Sequence, residues 1–502
     1  MSDDDLADLG ESTESRDNLE ISPEDEKIET RLGLAIIGCA LLLGIAGDFL
    51  AATPFGINLP IFALVFVAVA AGLLLWRTDK RDQIAFVALG LALLFSTFLV
   101  WRDSKLLGTL NIAAILLLLG LATVRLSFAR AYALGTVEYL VALAKTFAAA
   151  VVGAGELFAD RMNWREVEQH ARSRQVVSVG RALAIAVPLL VIFTALFAHA
   201  DAAFSNLAGD LVPDDLTGLL VDIVIVVGVS YASIGLLLAI LDGQPGEASG
   251  ESTKARLSRL ELAIVLGLLD LLFLAFVLVQ IRYLFGGKHL IMTRAHLTYA
   301  QYAHRGFFEL VAVCALVLPL LLVADWLRGG SKRQRDPLFS IPAGVLIALL
   351  GVIIASAIQR MRIYQQAYGL TELRFYGTAF LTWVAVVFAL LLVTILNGRR
   401  HLFAAGALAS ALIALVCLNA VNPDNWIARV NIERFHQGKK IDIAYLNTLS
   451  DDAYSRLQAA HLKGLRLDQR RSNDCSADWR TWNWSRAQAR DLYCGSQATG
   501  QP

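Results

Sequence analysis

The chain has 502 residues, of which 56% are hydrophobic and 18% charged, and its formal net charge is zero. A soluble domain with that balance lacks the polar groups to cover its surface, and a chain with no basic stripe is a poor partner for nucleic acid. The apolar residues fall in unbroken runs of about 20, enough to cross a bilayer core of about 30 Å as helix. The runs do not alternate polar and apolar residues as barrel strands do, and backbone polar groups in lipid must be paired within the segment, so helices are expected.

Residues 1–30 carry twelve acidic and two basic side chains with few large apolar ones. Such a segment cannot bury enough surface to offset its ordering entropy and reads as a disordered acidic tail. Ile21-Ser22-Pro23-Glu24 could open a short helical turn at most. It lacks the positive start of a secretory signal. The apolar runs then fall at 32–52, 59–76, 83–101, 105–124, 181–200, 217–241, 260–285, 306–327, 340–360, 375–396 and 402–420. The fold class expected is all-α, a polytopic transmembrane bundle of about eleven spans over 31–421. The third and fourth runs are separated only by Arg102-Asp103-Ser104-Lys105, a tight helical hairpin.

Residues 131–160 are apolar but carry Glu138, Lys145 and Glu156. At about 100° per residue these three charges share one helix face, the pattern of a helix lying in the interface or against the bundle. If that segment does not cross, twenty basic residues fall in loops on one side and nine on the other. The excess of Lys and Arg on the inside predicts a cytoplasmic N-terminus and an extracytoplasmic C-terminus in a cell membrane.

The tail, 422–502, is soluble in composition. Asn422-Pro423 opens one short amphipathic helix, and Ser450 with Asp451 and Asp452 reads as the cap of another. Trp426, Trp479, Trp482 and Trp484 supply apolar anchors for a small extracytoplasmic fold, or for docking on the outer membrane surface. Cys39, Cys314 and Cys417 lie in apolar runs, so Cys475 and Cys494 have one possible pairing. A disulfide there would close a loop of about 20 residues and stabilise the tail by about 3 kcal/mol in the chain-entropy model, provided the compartment is oxidising.

Several stretches resemble the bacterial integral-membrane family designated domain of unknown function 4173, close to the family numbered 4153. They are Ala200-Asp201-Ala202-Ala203-Phe204, Gln280 through Gly287, Tyr302 through Leu310, Tyr368 through Arg374, Asn422-Pro423-Asp424 with Ile427 through Ile432, and Leu449 through Ala453. The resemblance covers roughly residues 180–490 and is least distinctive over the first four spans. The family has Pro after the Ala-Asp pair, where this chain has Ala202. The resemblance implies a helical membrane architecture and no particular chemistry.

Two connections expected on the outside carry the unusual polar residues. In 280–309 these include Arg282, His304, Arg305 and Glu309; in 359–376, Arg360, Tyr364, Glu372 and Arg374. Basic residues are depleted on that side, so a cationic, aromatic-lined cleft for an anionic lipid or envelope component is one reading. The other is that Arg–Glu pairs and Tyr girdles clamp helix ends. The first reading predicts that the two groups meet in space. His289, His296 and His304 lack metal-site spacing, and no motif nominates a metal, a cofactor or a nucleophile. Asp270 in the seventh run and Asp222 in the sixth are intramembrane carboxyls that either serve ion or proton transfer or lock helices together. Three functions follow: a non-enzymatic envelope platform or sensor, a secondary transporter using Asp270, and a lipid-linked glycan or phosphate transferase. The lack of an internal repeat weighs against transport, and the lack of a metal-binding acidic motif against transfer.

Overall fold

The computed structural model describes residues 23–77, 83–125, 144, 148, 150–157, 214–242, 244–245, 259–285, 307–327, 337–397, 402–465 and 478–499. The long helices are α1 (Pro23–Phe49), α2 (Asn58–Arg77), α3 (Gln83–Trp101), α4 (Lys105–Ala122), α5 (Asp214–Asp242), α6 (Arg259–Phe285), α7 (Phe307–Leu327), α8 (Pro337–Tyr368), α9 (Glu372–Leu396) and α10 (Leu402–Val421). A shorter set follows: α11 (Pro423–His436), α12 (Ile443–Leu446), α13 (Tyr454–Ala459) and α14 (Trp484–Thr499), with 3-10 turns at Asp451–Ala453 and Trp479–Thr481. The extended structure among the described residues is one parallel pair, with Val124 opposite Gln244 and Arg125 opposite Pro245.

Among the described residues, nine helices are long and apolar enough to cross a membrane. They coincide with nine of the runs expected from sequence. Of the other two, 306–327 forms α7, whose side chains are described over Ala312–Asp325, and 181–200 lies outside the described residues. Two boundaries differ from expectation. α1 opens at Pro23 and runs on without a break, so the start at Ser22-Pro23-Glu24 is the head of a span-length helix rather than an isolated turn. Pro tolerates the first helical turn, where its missing N–H is not needed. The connection read as a loop over 359–376 is mostly helix: α8 continues to Tyr368, α9 starts at Glu372, and only Gly369–Thr371 turns. Nothing in 361–368 breaks a helix, and its long polar side chains can reach past the apolar layer.

The chain divides into two compact units. The first comprises residues 1–51, 68–77 and 145–242. In it α1 packs along α5 through glycines: a Cβ on Gly44 would collide with Ser230 and the carbonyl of Val226, and one on Gly47 would press on Val229. Small residues let helix backbones approach closely in lipid. Residues 150–156 are helical, and Gly153 lies against Gly235 of α5. Most of 131–160, and with it the question of whether that segment crosses, lies outside the described residues.

The second unit comprises residues 52–67, 78–144 and 243–502. Its largest core joins Leu262 and Leu266 of α6, Cys314 and Leu321 of α7, Leu346, Leu350 and Ile354 of α8, and Leu381 and Phe388 of α9. A second core, with Phe95, Leu107 and Leu118, holds α3, α4 and α10 together. The C-terminal domain has its own small core of Ile427, Ala428, Leu446, Leu449 and Leu457, into which Leu370 of the α8–α9 turn inserts.

Candidate functional site

The described polar residues concentrate where the C-terminal domain meets the span ends of the second unit. α4 begins without an acidic residue in its first turn, and the side chain of Ser104 at its cap makes no capping bond. Asp452 supplies the missing acceptor: its Oδ2 receives the backbone N–H of Asp103 and of Ser104, each at 3.0 Å. Ser450 Oγ lies 3.3 Å from the same oxygen, and Ser485 Oγ donates to Oδ1. A carboxylate at a helix N-terminus satisfies orphan N–H groups and favours the dipole. In return Asp103 Oδ2 accepts from Asp451 N at 3.3 Å.

The last turn of α3 is closed by the same domain. Asn483 Nδ2 donates to Leu99 O at 2.8 Å and Arg102 O at 2.9 Å, and Ser485 Oγ, which shares its one proton with Asp452, lies 3.0 Å from Trp101 O. Arg102 Nε donates to Asn419 O at 2.7 Å, capping α10. Burial lowers the pKa of that guanidinium, against the opposing pull of Asp452, whose carboxylate lies 3.9 Å away. Deeper in the helices, Asn111 of α4 and Asn419 of α10 are both fully buried and exchange amide bonds at 3.1 and 3.0 Å.

At the α8–α9 turn, Asn431 of α11 pairs with the backbone of Leu370, accepting its N–H at 3.0 Å and donating to its carbonyl at 2.7 Å. Gly369 there has φ +85°, and a Cβ on it would strike Arg434 and Asn431. Arg434 Nη2 donates to Ala367 O at 3.1 Å, and Arg374 Nη1 to Gly369 O at 2.6 Å, so two cations close the C-terminus of α8. Burial first, and the neighbouring Arg374 second, lower the pKa of Arg434. Glu372 N donates to Tyr445 Oη at 2.7 Å, and burial pushes the Tyr445 phenol up to about 12.

Asp424, fully buried in the first turn of α11, accepts from Ser450 N at 3.2 Å and from Ser450 Oγ through one oxygen. Ser450 therefore sits at the expected cap position of the 3-10 turn, but its hydroxyl serves Asp424 instead. Among the described residues no N–H or hydroxyl reaches Asp424 Oδ1, and Glu372 is a neighbour of this carboxyl. Two carboxylates offer no donor to each other; a proton on one of them creates the bond. Burial raises the Asp424 pKa, the Ser450 bonds oppose the shift, and Asp452 adds to it. Among the described residues no group of three or more His, Cys, Asp or Glu is arranged to hold a metal ion.

The sequence-nominated residues divide as follows. Arg374 lies over the Tyr364 ring at 4.0 Å, so those two meet. Glu372 turns to the C-terminal domain, and Arg360 is half-buried on α8. Arg282 lies on α6 and Glu309 on α7, with their side chains outside the described residues, as are His304 and Arg305 entirely. The meeting of the two groups is therefore outside what is described. Asp222 is exposed on α5. Asp270, midway along its span on α6, is partly buried, and its Oδ1 has no hydrogen-bond partner among the described residues. Cys494 is half-buried beside Tyr493 in the C-terminal domain and Cys475 lies outside the described residues. Sequence reasoning passed over Asp103, Asn483, Ser485 and the Asn111–Asn419 pair. A lone amide within each of two apolar runs was the visible signal for that pair.

Among the described residues, nine helices long and apolar enough to cross a membrane give the chain the make-up of a helical membrane protein. Residues 85–460 match the family profile described as Domain of unknown function (DUF4153), and the chain belongs to that family. The match opens near the start of α3, so two of the four early spans are more distinctive than the motifs suggest. No curated protein and no solved structure matches the chain.

Proposed function

We propose that the protein is a non-enzymatic envelope platform or sensor. About eleven spans, with the N-terminus cytoplasmic, carry an extracytoplasmic C-terminal domain that binds an anionic lipid or envelope component. The observation that carries this reading is the seating of that domain: Asp452, Asn483, Asn431 and Arg434 bond directly to backbone groups at the ends of α3, α4 and α8. Bonds to helix termini leave the domain no independent swing, which suits a fixed presenting surface. The connections at 102–104 and 369–371 and the exit of α10 lie beside the domain, which supports reading them on one side of the membrane with it. Arg282, His304, Arg305, Glu309, Arg360, Tyr364, Glu372 and Arg374 are the proposed ligand-binding set. Cys475–Cys494 is the proposed staple of the domain; two free thiols in freshly isolated membranes would remove it.

A transporter is the second reading, favoured by Asp270 Oδ1 at mid-helix, which has no hydrogen-bond partner among the described residues. Purified protein in vesicles loaded with a pH-sensitive dye separates the two. The platform shows no proton flux, and it binds phosphatidylglycerol nanodiscs more tightly than phosphatidylcholine ones, a difference that Arg282→Glu with Arg305→Glu reduces. A proton flux that Asp270→Asn abolishes would overturn the platform reading.

A further inference from the structure

We infer that Trp479–Trp484 is a membrane-interface anchor: an aromatic surface of the C-terminal domain that lies in the headgroup layer of the bilayer its own helices cross. The inference rests on the membrane-spanning reading of those helices. The segment is fixed in depth by the ends of two spans. Asn483, buried between two exposed tryptophans, donates to Leu99 O and Arg102 O, which bracket Trp101, the last residue of α3. On its other side, Ile57 N donates to Trp482 O at 2.8 Å, one residue before α2 begins at Asn58. Arg486 donates to Phe55 O. Gly56 lies so close that a Cβ would run into the backbone of Thr481 and Trp482.

Large rings of this frame stay part-exposed. Phe55, Trp101, Trp479, Trp482 and Trp484 are between 36% and 54% exposed, and the rings of Trp482 and Trp484 meet edge to face at 6.4 Å. Five such rings around two span ends would be a poor surface to present to water. They suit the headgroup layer, where indole bodies rest against acyl chains and indole N–H groups bond to lipid carbonyls and water. The ion pair of Arg480 with Asp478, at 2.6 Å and half-exposed, provides the polar side of the same turn.

The test uses the full chain in phosphatidylcholine vesicles, comparing wild type with the Trp479→Phe/Trp482→Phe/Trp484→Phe variant. Phe keeps an aromatic ring at exposed positions, and the difference in emission reports these three indoles against the other six of nine. Lipids brominated near the headgroup should quench the difference signal about twofold or more over lipids brominated at the chain ends. Iodide on both sides of the membrane should quench it little. Quenching by iodide with no response to brominated lipid would place the rings in water and overturn the anchor. Quenching by neither would place them against protein and overturn it equally. If none of the nine tryptophans responded to any brominated lipid, the membrane-spanning reading itself would fail, a result distinct from the other two.

Discussion

Asp452 accepts the backbone N–H of Ser104 at 3.0 Å across 348 positions of sequence, so the acidic cap of α4 belongs to the C-terminal domain. The carboxylate is almost wholly buried, with 1% of its side chain exposed, and serves two backbone amides and the Ser485 hydroxyl. Asp452→Ala strands these donors and should loosen the junction by about 2–4 kcal/mol. Limited proteolysis of the detergent-solubilised protein should show faster cleavage within 422–502. Asp452→Asn keeps one acceptor oxygen and should fall between the two. Equal protection of the Ala variant and wild type would show that the junction does not hold the domain.

Gly369 and Gly438 share positive φ, +85° and +80°, but differ in surroundings. A Cβ at 369 meets Arg434 and Asn431, whereas at 438 it meets open space. Gly438→Ala should cost only the backbone strain of about 1–2 kcal/mol. Gly369→Ala should cost that plus displacement of the side chains that close α8. Thermal melts of the two variants in one detergent check the order; equal losses would mean the Asn431 and Arg434 contacts contribute nothing.

Asn111→Leu leaves Asn419 without its reciprocal partner and should destabilise the α4–α10 contact by about 1–2 kcal/mol. Asn419 still has the carbonyl of Leu415 at 2.9 Å, which keeps the loss modest. The paired variant Asn111→Leu/Asn419→Leu should recover part of it, because neither stranded amide remains. A double-mutant cycle on unfolding midpoints measures the coupling, and additive losses would exclude it.

Burial raises the Asp424 pKa above its unfolded value, so the folded domain favours the protonated form. The sign follows: the destabilisation from this buried charge is present at neutral pH and is relieved as pH falls through the raised pKa. Domain docking should therefore tighten as pH falls through that raised pKa, before general protonation of carboxylates reverses the trend. Asp424→Asn should flatten that rise while leaving the acid-side loss in place. Proteolytic half-lives at stepped pH are the measurement, and a monotonic loss on acidification would count against a shared proton with Glu372.

What the sequence determined by itself is the position of the spans and the simplest turns. Arg102-Asp103-Ser104 joins α3 to α4 as read, and Asn422-Pro423 opens α11, where Asn422 caps through Asn425 N at 3.3 Å. These are local properties: hydropathy over about 20 residues decides what enters lipid, and a capping side chain acts within its own turn. Tertiary structure alone decided the partners. The donors and acceptors at a helix end can be satisfied from any part of the chain, so nothing near Ser104 points to Asp452, nothing near Leu370 to Asn431, and nothing near Leu99 to Asn483. Glu372 illustrates the same limit: the sequence groups it with Arg360 and Arg374, and nothing local names its neighbour in the fold, the buried Asp424. Local pattern sets which groups must be paired; only the packed chain sets with what.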